Sequence, residues 1–112
     1  MSLSGYELVM SEPALFSLSI EKLPGHCVVR PEGELDVAAV PEMETALDRA
    51  LEQCSNVLID LQDVTFMDSS GLRLLLGARQ RCAAADGQLE VINPGEDVQR
   101  LLDLTGMSAL LL

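Results

Sequence analysis

The chain has 112 residues, the length of one ordinary domain. With 48% hydrophobic and 22% charged residues, it can bury a core without metal or disulfide staples. Lys and Arg total 7 against 18 Asp and Glu, a formal net charge of −11. That charge argues against nucleic acid and against an anionic membrane surface, leaving a basic protein partner or plain solubility as its role.

Residues 1–13 read as a native tail or a cloning remnant, because Met1-Ser2-Leu3-Ser4-Gly5 lacks the charged-then-apolar order of a secretory signal. No segment approaches the roughly 20 apolar residues of a membrane span. Phe16–Ile20 alternates apolar and polar residues with period two and predicts a half-buried strand. Pro24-Gly25 signals a turn, and Cys27–Arg30 comes next as a strand that pairs back antiparallel and runs toward Gly33-Glu34-Leu35-Asp36. Pro41 suits the first turn of a helix of roughly 12 residues. Its apolar stripe is Met43, Ala46, Leu47, Ala50, Leu51 and Cys54. Val57–Leu61 is almost continuously apolar, as in a parallel strand covered on both faces.

Asp63–Met67 reads as a connection, and Gly71 to about Ala84 as a second helix, closed by a turn at Asp86-Gly87. Leu89–Ile92 is a further strand, Glu96–Leu104 a third helix ended by Gly106, and Ala109–Leu112 a short last strand. The order β-β-α-β-α-β-α-β predicts one α/β domain over residues 14–112, a mixed sheet of about 4–5 strands with helices packed on it. Cys27, Cys54 and Cys82 are odd in number and far apart, matching neither a disulfide framework nor a metal site. They read as reduced, mostly buried thiols of a cytoplasmic protein.

The stretch Phe66-Met67-Asp68-Ser69-Ser70-Gly71-Leu72 sits where a strand-like segment turns into a helix. Asp68, Ser69 or Ser70 can cap the unpaired N–H groups of that helix. One cap accounts for one polar side chain, not three in a row. The same helix end suits a phosphate. A phosphoryl group on Ser69 adds about −1.5 to −2 charges, with Arg73 at i+4 to assist and Asp68 beside it to oppose. On the helix, Gly71, Leu74, Leu75, Ala78 and Cys82 share the core face, Leu76 falls off it, and Leu72 is marginal. Either the apolar stripe is wide, or Leu72, Arg73 and Leu76 form a partner-binding surface next to Ser69. A serine nucleophile would need a base in reach. The only histidine is His26, on the first hairpin, and Met67 stands where a nucleophile elbow requires glycine. No phosphate loop or dinucleotide fingerprint occurs, and no cofactor or metal is implied.

These residues resemble the signature of the STAS domain family, in particular the bacterial anti-sigma-factor antagonists. Gly33-Glu34-Leu35-Asp36 resembles the family's other block, and Val57–Leu61 with Asp63–Phe66, then Asn93-Pro94 and a helix to Leu104-Thr105-Gly106, fit its pattern. The resemblance implies partner switching. The unphosphorylated antagonist binds an anti-sigma factor that is also an ATP-binding serine kinase, and so frees the sigma factor. The kinase then phosphorylates the first serine of the pair, the complex separates, and a phosphatase resets it. Carried over, Ser69 is the phosphoacceptor, Asp36 and Asp68 surround it, and Ser70 and Gly71 shape the turn.

Two departures stand out. Ala39 replaces a threonine common in relatives, removing a helix cap of about 1 kcal/mol. The chain ends at Leu112, where the family commonly adds a last helix after the final strand. The alternative is a STAS module serving as scaffold or regulatory subunit of a stress-sensing or lipid-transport complex. In either case the chain is expected to be a regulatory protein and not an enzyme.

Overall fold

The computed structural model describes residues 2–3, 6–7 and 16–112. β1 (Ser2–Leu3) and β2 (Tyr6–Glu7) form a two-stranded antiparallel ladder inside the segment expected as a tail. The rest of that segment, and residues 14 and 15, lie outside the described residues.

The main sheet has five strands. β3 (Phe16–Leu23) and β4 (His26–Leu35) form the expected hairpin, Phe16 opposite Gly33 and Leu23 opposite His26. After α1 (Val40–Gln53), β5 (Val57–Asp60) returns parallel to the first half of β4, Cys27 against Val57. β6 (Asp63–Met67) then pairs with the second half of β4, Leu35 against Met67. The segment expected as a connection is therefore a strand: Val64 and Met67 point into the core while Asp63, Thr65 and Phe66 stay exposed. α2 (Ser69–Ala84) begins two residues earlier than the glycine suggested. β7 (Leu89–Ile92) pairs parallel with β5 and leads into α3 (Glu96–Leu104).

The last segment is a helix, α4 (Ser108–Leu111), and not a strand. A run of four apolar residues has no periodicity that separates the two forms. Gly106, at φ 75°, turns the chain out of α3, and α4 then buries Leu111 while Leu110 and Leu112 stay exposed. Arg79 of α2 donates to the Leu110 carbonyl at 3.1 Å, fastening the two helices. The Asp103 carboxylate accepts hydrogen bonds from Ser108 and Gln99, which hold its pKa below the usual value.

One face of the sheet carries the core. Leu18, Val29, Ile59 and Val91 meet Met43 and Leu47 of α1, Leu75 of α2 and Leu102 of α3 in a single aliphatic cluster. The other face is less covered than the apolar run Val57–Leu61 implied. Leu58 and Asp60 are only half-buried there, beside a polar ladder in which Arg30 reaches Glu21 at 2.7 Å and Asp60 at 3.6 Å.

The cysteines also depart from expectation. Cys27 and Cys54 are joined in a disulfide, Cα atoms 6.0 Å apart across 27 residues of sequence. α1 brings the chain back to the starting end of β4, an adjacency that sequence spacing does not reveal. Cys82 is free and buried, and burial raises its thiol pKa.

Two glycines position the carboxyl end of the sheet against α2. Gly33, at φ 103°, lies at a register shift in β4, where the ladder breaks step before Glu34 and Leu35 align with β6. Gly71 is the point where α2 crosses the end of β4. A Cβ there would stand 2.6 Å from the Leu35 carbonyl oxygen and 2.9 Å from Met67 Cγ.

The packing sets three measurable expectations. Gly71→Ala destabilises the fold by about 1–3 kcal/mol in urea titrations, despite alanine's better helix propensity. Reducing the disulfide lowers stability by up to about 3.5 kcal/mol on the loop-closure account, in the same titrations run with and without dithiothreitol. Because the Asp103 pKa is depressed in the fold, its hydrogen bonds stabilise above the unfolded carboxylate pKa, and that stabilisation fades as pH falls through the folded value. Ser108→Ala therefore raises the Asp103 pKa in an NMR titration and flattens this acid dependence.

Candidate functional site

β4 and β6 run parallel and end together, because Leu35 pairs with Met67. Asp36 and Asp68 are the next residues of each strand, so the two acids emerge side by side at the carboxyl end of the sheet. Crevices at this end of parallel strands are where open α/β sheets carry their sites.

The acids have separate structural tasks. Asp36 Oδ1 accepts from the Ala38 N–H at 3.0 Å and the Ala39 N–H at 3.3 Å, folding the turn into α1. Ala39, the N-cap residue of α1, supplies no side-chain cap, as its methyl group dictates, and Asp36 orders that turn instead. Asp68 is the N-cap of α2. Its Oδ1 accepts from Ser70 N at 2.8 Å and Gly71 N at 3.4 Å. The serines are therefore not the caps. Ser69 is exposed, Ser70 half-buried, and neither hydroxyl has a hydrogen-bond partner among the described residues.

Gly71 is buried beneath this turn, so the backbone of α2 lies directly on the Leu35 carbonyl and Ser69 stands at the outer edge. Arg73 is exposed one turn further on. Leu76 is half-buried. Leu72 is 8% exposed and belongs to the core cluster, so it is no part of a surface. It fills the flank of α2 that the helical wheel left marginal.

Other residues here carry no signal strong enough to mark them from sequence. Val37, just after Asp36, is 70% exposed. Leu74, assigned to the core face, is half-buried and lines an open groove between α1 and α2 together with Val37, Val40, Ser70, Arg73 and Gly77. The available signal was that Leu74 falls at the edge of the apolar stripe, with α1 unable to cover it fully.

His26 opens β4 and Leu35 closes it, nine residues on. At about 3.3 Å per residue this separates the imidazole from the serines by roughly 30 Å. His26 is therefore no base for Ser69, and a hydrolase built on that pair is ruled out.

Residues 17–111 match the family model described as STAS domain. The chain is 33% identical over 92 residues to the anti-sigma F factor antagonist of Paenibacillus polymyxa, covering 80% of this chain and 79% of that protein. It is 37% identical over 84 residues to the anti-sigma-B factor antagonist of Staphylococcus epidermidis, covering 74% and 78%. Among solved structures it is similar to the anti-sigma factor antagonist SpoIIAA in its unphosphorylated form, with a TM-score of 0.74, 26% identity and 85% of each chain covered. The Bacillus cell fate determinant SpoIIAA in the phosphorylated form gives a TM-score of 0.68 at 26% identity, covering 85% of this chain and 88% of that one. The family match over residues 17–111 and the likeness to these solved structures agree, and the chain belongs to the STAS domain family.

Proposed function

We propose that this chain is an anti-sigma-factor antagonist switched by phosphorylation of Ser69. In its unphosphorylated form it binds an anti-sigma factor that is also a serine kinase, and the sigma factor is released. The relatives bearing antagonist names, and structural neighbours that include both phosphorylated and unphosphorylated forms, support this reading. The observation that carries it is the division of labour at the start of α2: Asp68 caps the helix, which leaves the exposed Ser69 hydroxyl with no structural task.

The reaction is the partner's. Ser69 Oγ attacks the γ-phosphorus of ATP held by the kinase, its proton passes to a base of the kinase, and the bond to the departing ADP breaks. A phosphatase reverses the state by transferring the group to water. The chain contributes an accessible nucleophile on a rigid turn.

The phosphorylated residue carries about −1.5 to −2 charges next to Asp68. A partner that accepts a neutral hydroxyl must then desolvate a dianion among acids. A few kcal/mol of mismatch lowers affinity by roughly two to three powers of ten, without rearrangement of the fold. No described helix is long and apolar enough to cross a membrane, and the proposed site of action is the cytoplasm, where sigma factors work.

The test is calorimetric titration of the serine-kinase anti-sigma factors of the source cell, each purified, with this chain and two variants. Ser69→Ala keeps the affinity of the wild type, and Ser69→Asp loses it by about 100-fold or more. Equal binding by both variants rejects the switch. Phosphopeptide mapping from growing and stressed cells gives the companion result, a phosphate on Ser69 whose occupancy changes between conditions.

A further inference from the structure

The groove between α1 and α2 contains two features that packing within the chain does not explain. The first is Gly77. It lies inside α2, where glycine is a poorer helix former than alanine. The other helix-interior glycine among the described residues, Gly71, has a reason, since a Cβ there would strike the Leu35 carbonyl. At Gly77 a Cβ would meet nothing within 4 Å. No neighbour in this chain requires its absence.

The second is Arg73. Arg30, Arg81 and Arg100 pair with carboxylates, Arg79 donates to the Leu110 carbonyl, and Arg49 is also engaged. Arg73 alone among the described arginines has no partner, in a chain with 18 acids to offer. Ser69, Arg73 and Gly77 succeed one another at intervals of four, so they form a single ridge along the outer surface of α2. Arg73 and Gly77 line the groove, which holds about 530 Å³ and is floored by Val40, Leu47, Leu74 and Ala78.

We propose that this groove receives an amphipathic helix of the anti-sigma partner. Its backbone lies over Gly77, and one of its acidic side chains pairs with Arg73. The inference rests on the antagonist reading above. A channel between two helices that is mostly apolar, with Glu44 and the Asp48-paired Arg81 also on its walls, fits a third, amphipathic helix, and a glycine on its wall lets the backbones approach closely. The unpaired guanidinium calls for a carboxylate, which it binds in bidentate fashion. A second copy of this chain is the poorer occupant, because two bodies each at −11 repel.

The test compares wild type, Gly77→Ala, Gly77→Leu and Arg73→Gln, each by thermal melting and by titration against the kinase that binds wild type but not Ser69→Asp. Gly77→Ala raises Tm by about 3 °C through helix propensity. Gly77→Leu keeps a wild-type circular dichroism spectrum and weakens binding by about 30-fold or more, while Arg73→Gln weakens it by about tenfold. The signature is loss of affinity without loss of stability. Wild-type affinity in Gly77→Leu overturns the groove while leaving the Ser69 switch intact. A kinase panel in which nothing binds wild type overturns both. Sedimentation that finds a dimer of wild type, dissociated in Gly77→Leu, overturns the partner helix in favour of a second copy.

Discussion

The first turn of α2 rests directly on the Leu35 carbonyl, and the rest of the site depends on that approach. It is possible only because residue 71 has no side chain, and it places the two strand ends, the helix start and the serine pair within one small region. Gly33 contributes from the other side. It lies where the register between β4 and β6 shifts by one residue, so that Leu35 meets Met67 rather than Phe66 and the two acids emerge in parallel. Two glycines about 40 residues apart in sequence thus fix one piece of geometry.

Given that geometry, the local polar groups are assigned without redundancy. Asp36 orders the turn into α1, and Asp68 satisfies two N–H groups of α2. The hydroxyls of Ser69 and Ser70 are left over. In a motif of three consecutive polar residues, structural need accounts for one. The exposure of Ser69, the residue proposed as phosphoacceptor, stems from the burial of Gly71 two positions on.

Much of this architecture was legible from pattern. The hairpin, the long amphipathic α1, the strand at Leu89–Ile92 and α3 carry periodicities of two or 3.6 that survive folding. The failures have physical causes. Asp63–Met67 pairs with β4 through backbone groups, and its side chains do not alternate cleanly because β6 has one extra residue, Thr65, at the register shift opposite Gly33 and Glu34. Ala109–Leu112 offers four apolar residues with no periodicity, and contact with α2 decides its form. The Cys27–Cys54 pairing depends on where α1 ends in space. Leu72 and Leu74 exchanged roles for a related reason. A helical wheel places residues on a face but cannot know how far the neighbouring helix extends to cover it. Here α1 leaves Leu74 partly open, while the core takes in Leu72.

The charge balance connects the serine to the groove. In a chain at −11 most surfaces repel an acidic partner, so an acid approaching α2 needs a local cation. Arg81 is held by Asp48 at 2.6 Å, which leaves Arg73 as the guanidinium available at that end of the groove. It lies one turn from Ser69. A phosphate on Ser69 would therefore arrive within reach of the cation that the partner's carboxylate uses, and two anions would compete for one arginine at i+4. Dissociation would then draw on two sources, desolvation of the dianion and loss of the ion pair. Neither requires the sheet or the helices to move, which suits a fold whose helix start is held rigidly against the Leu35 carbonyl.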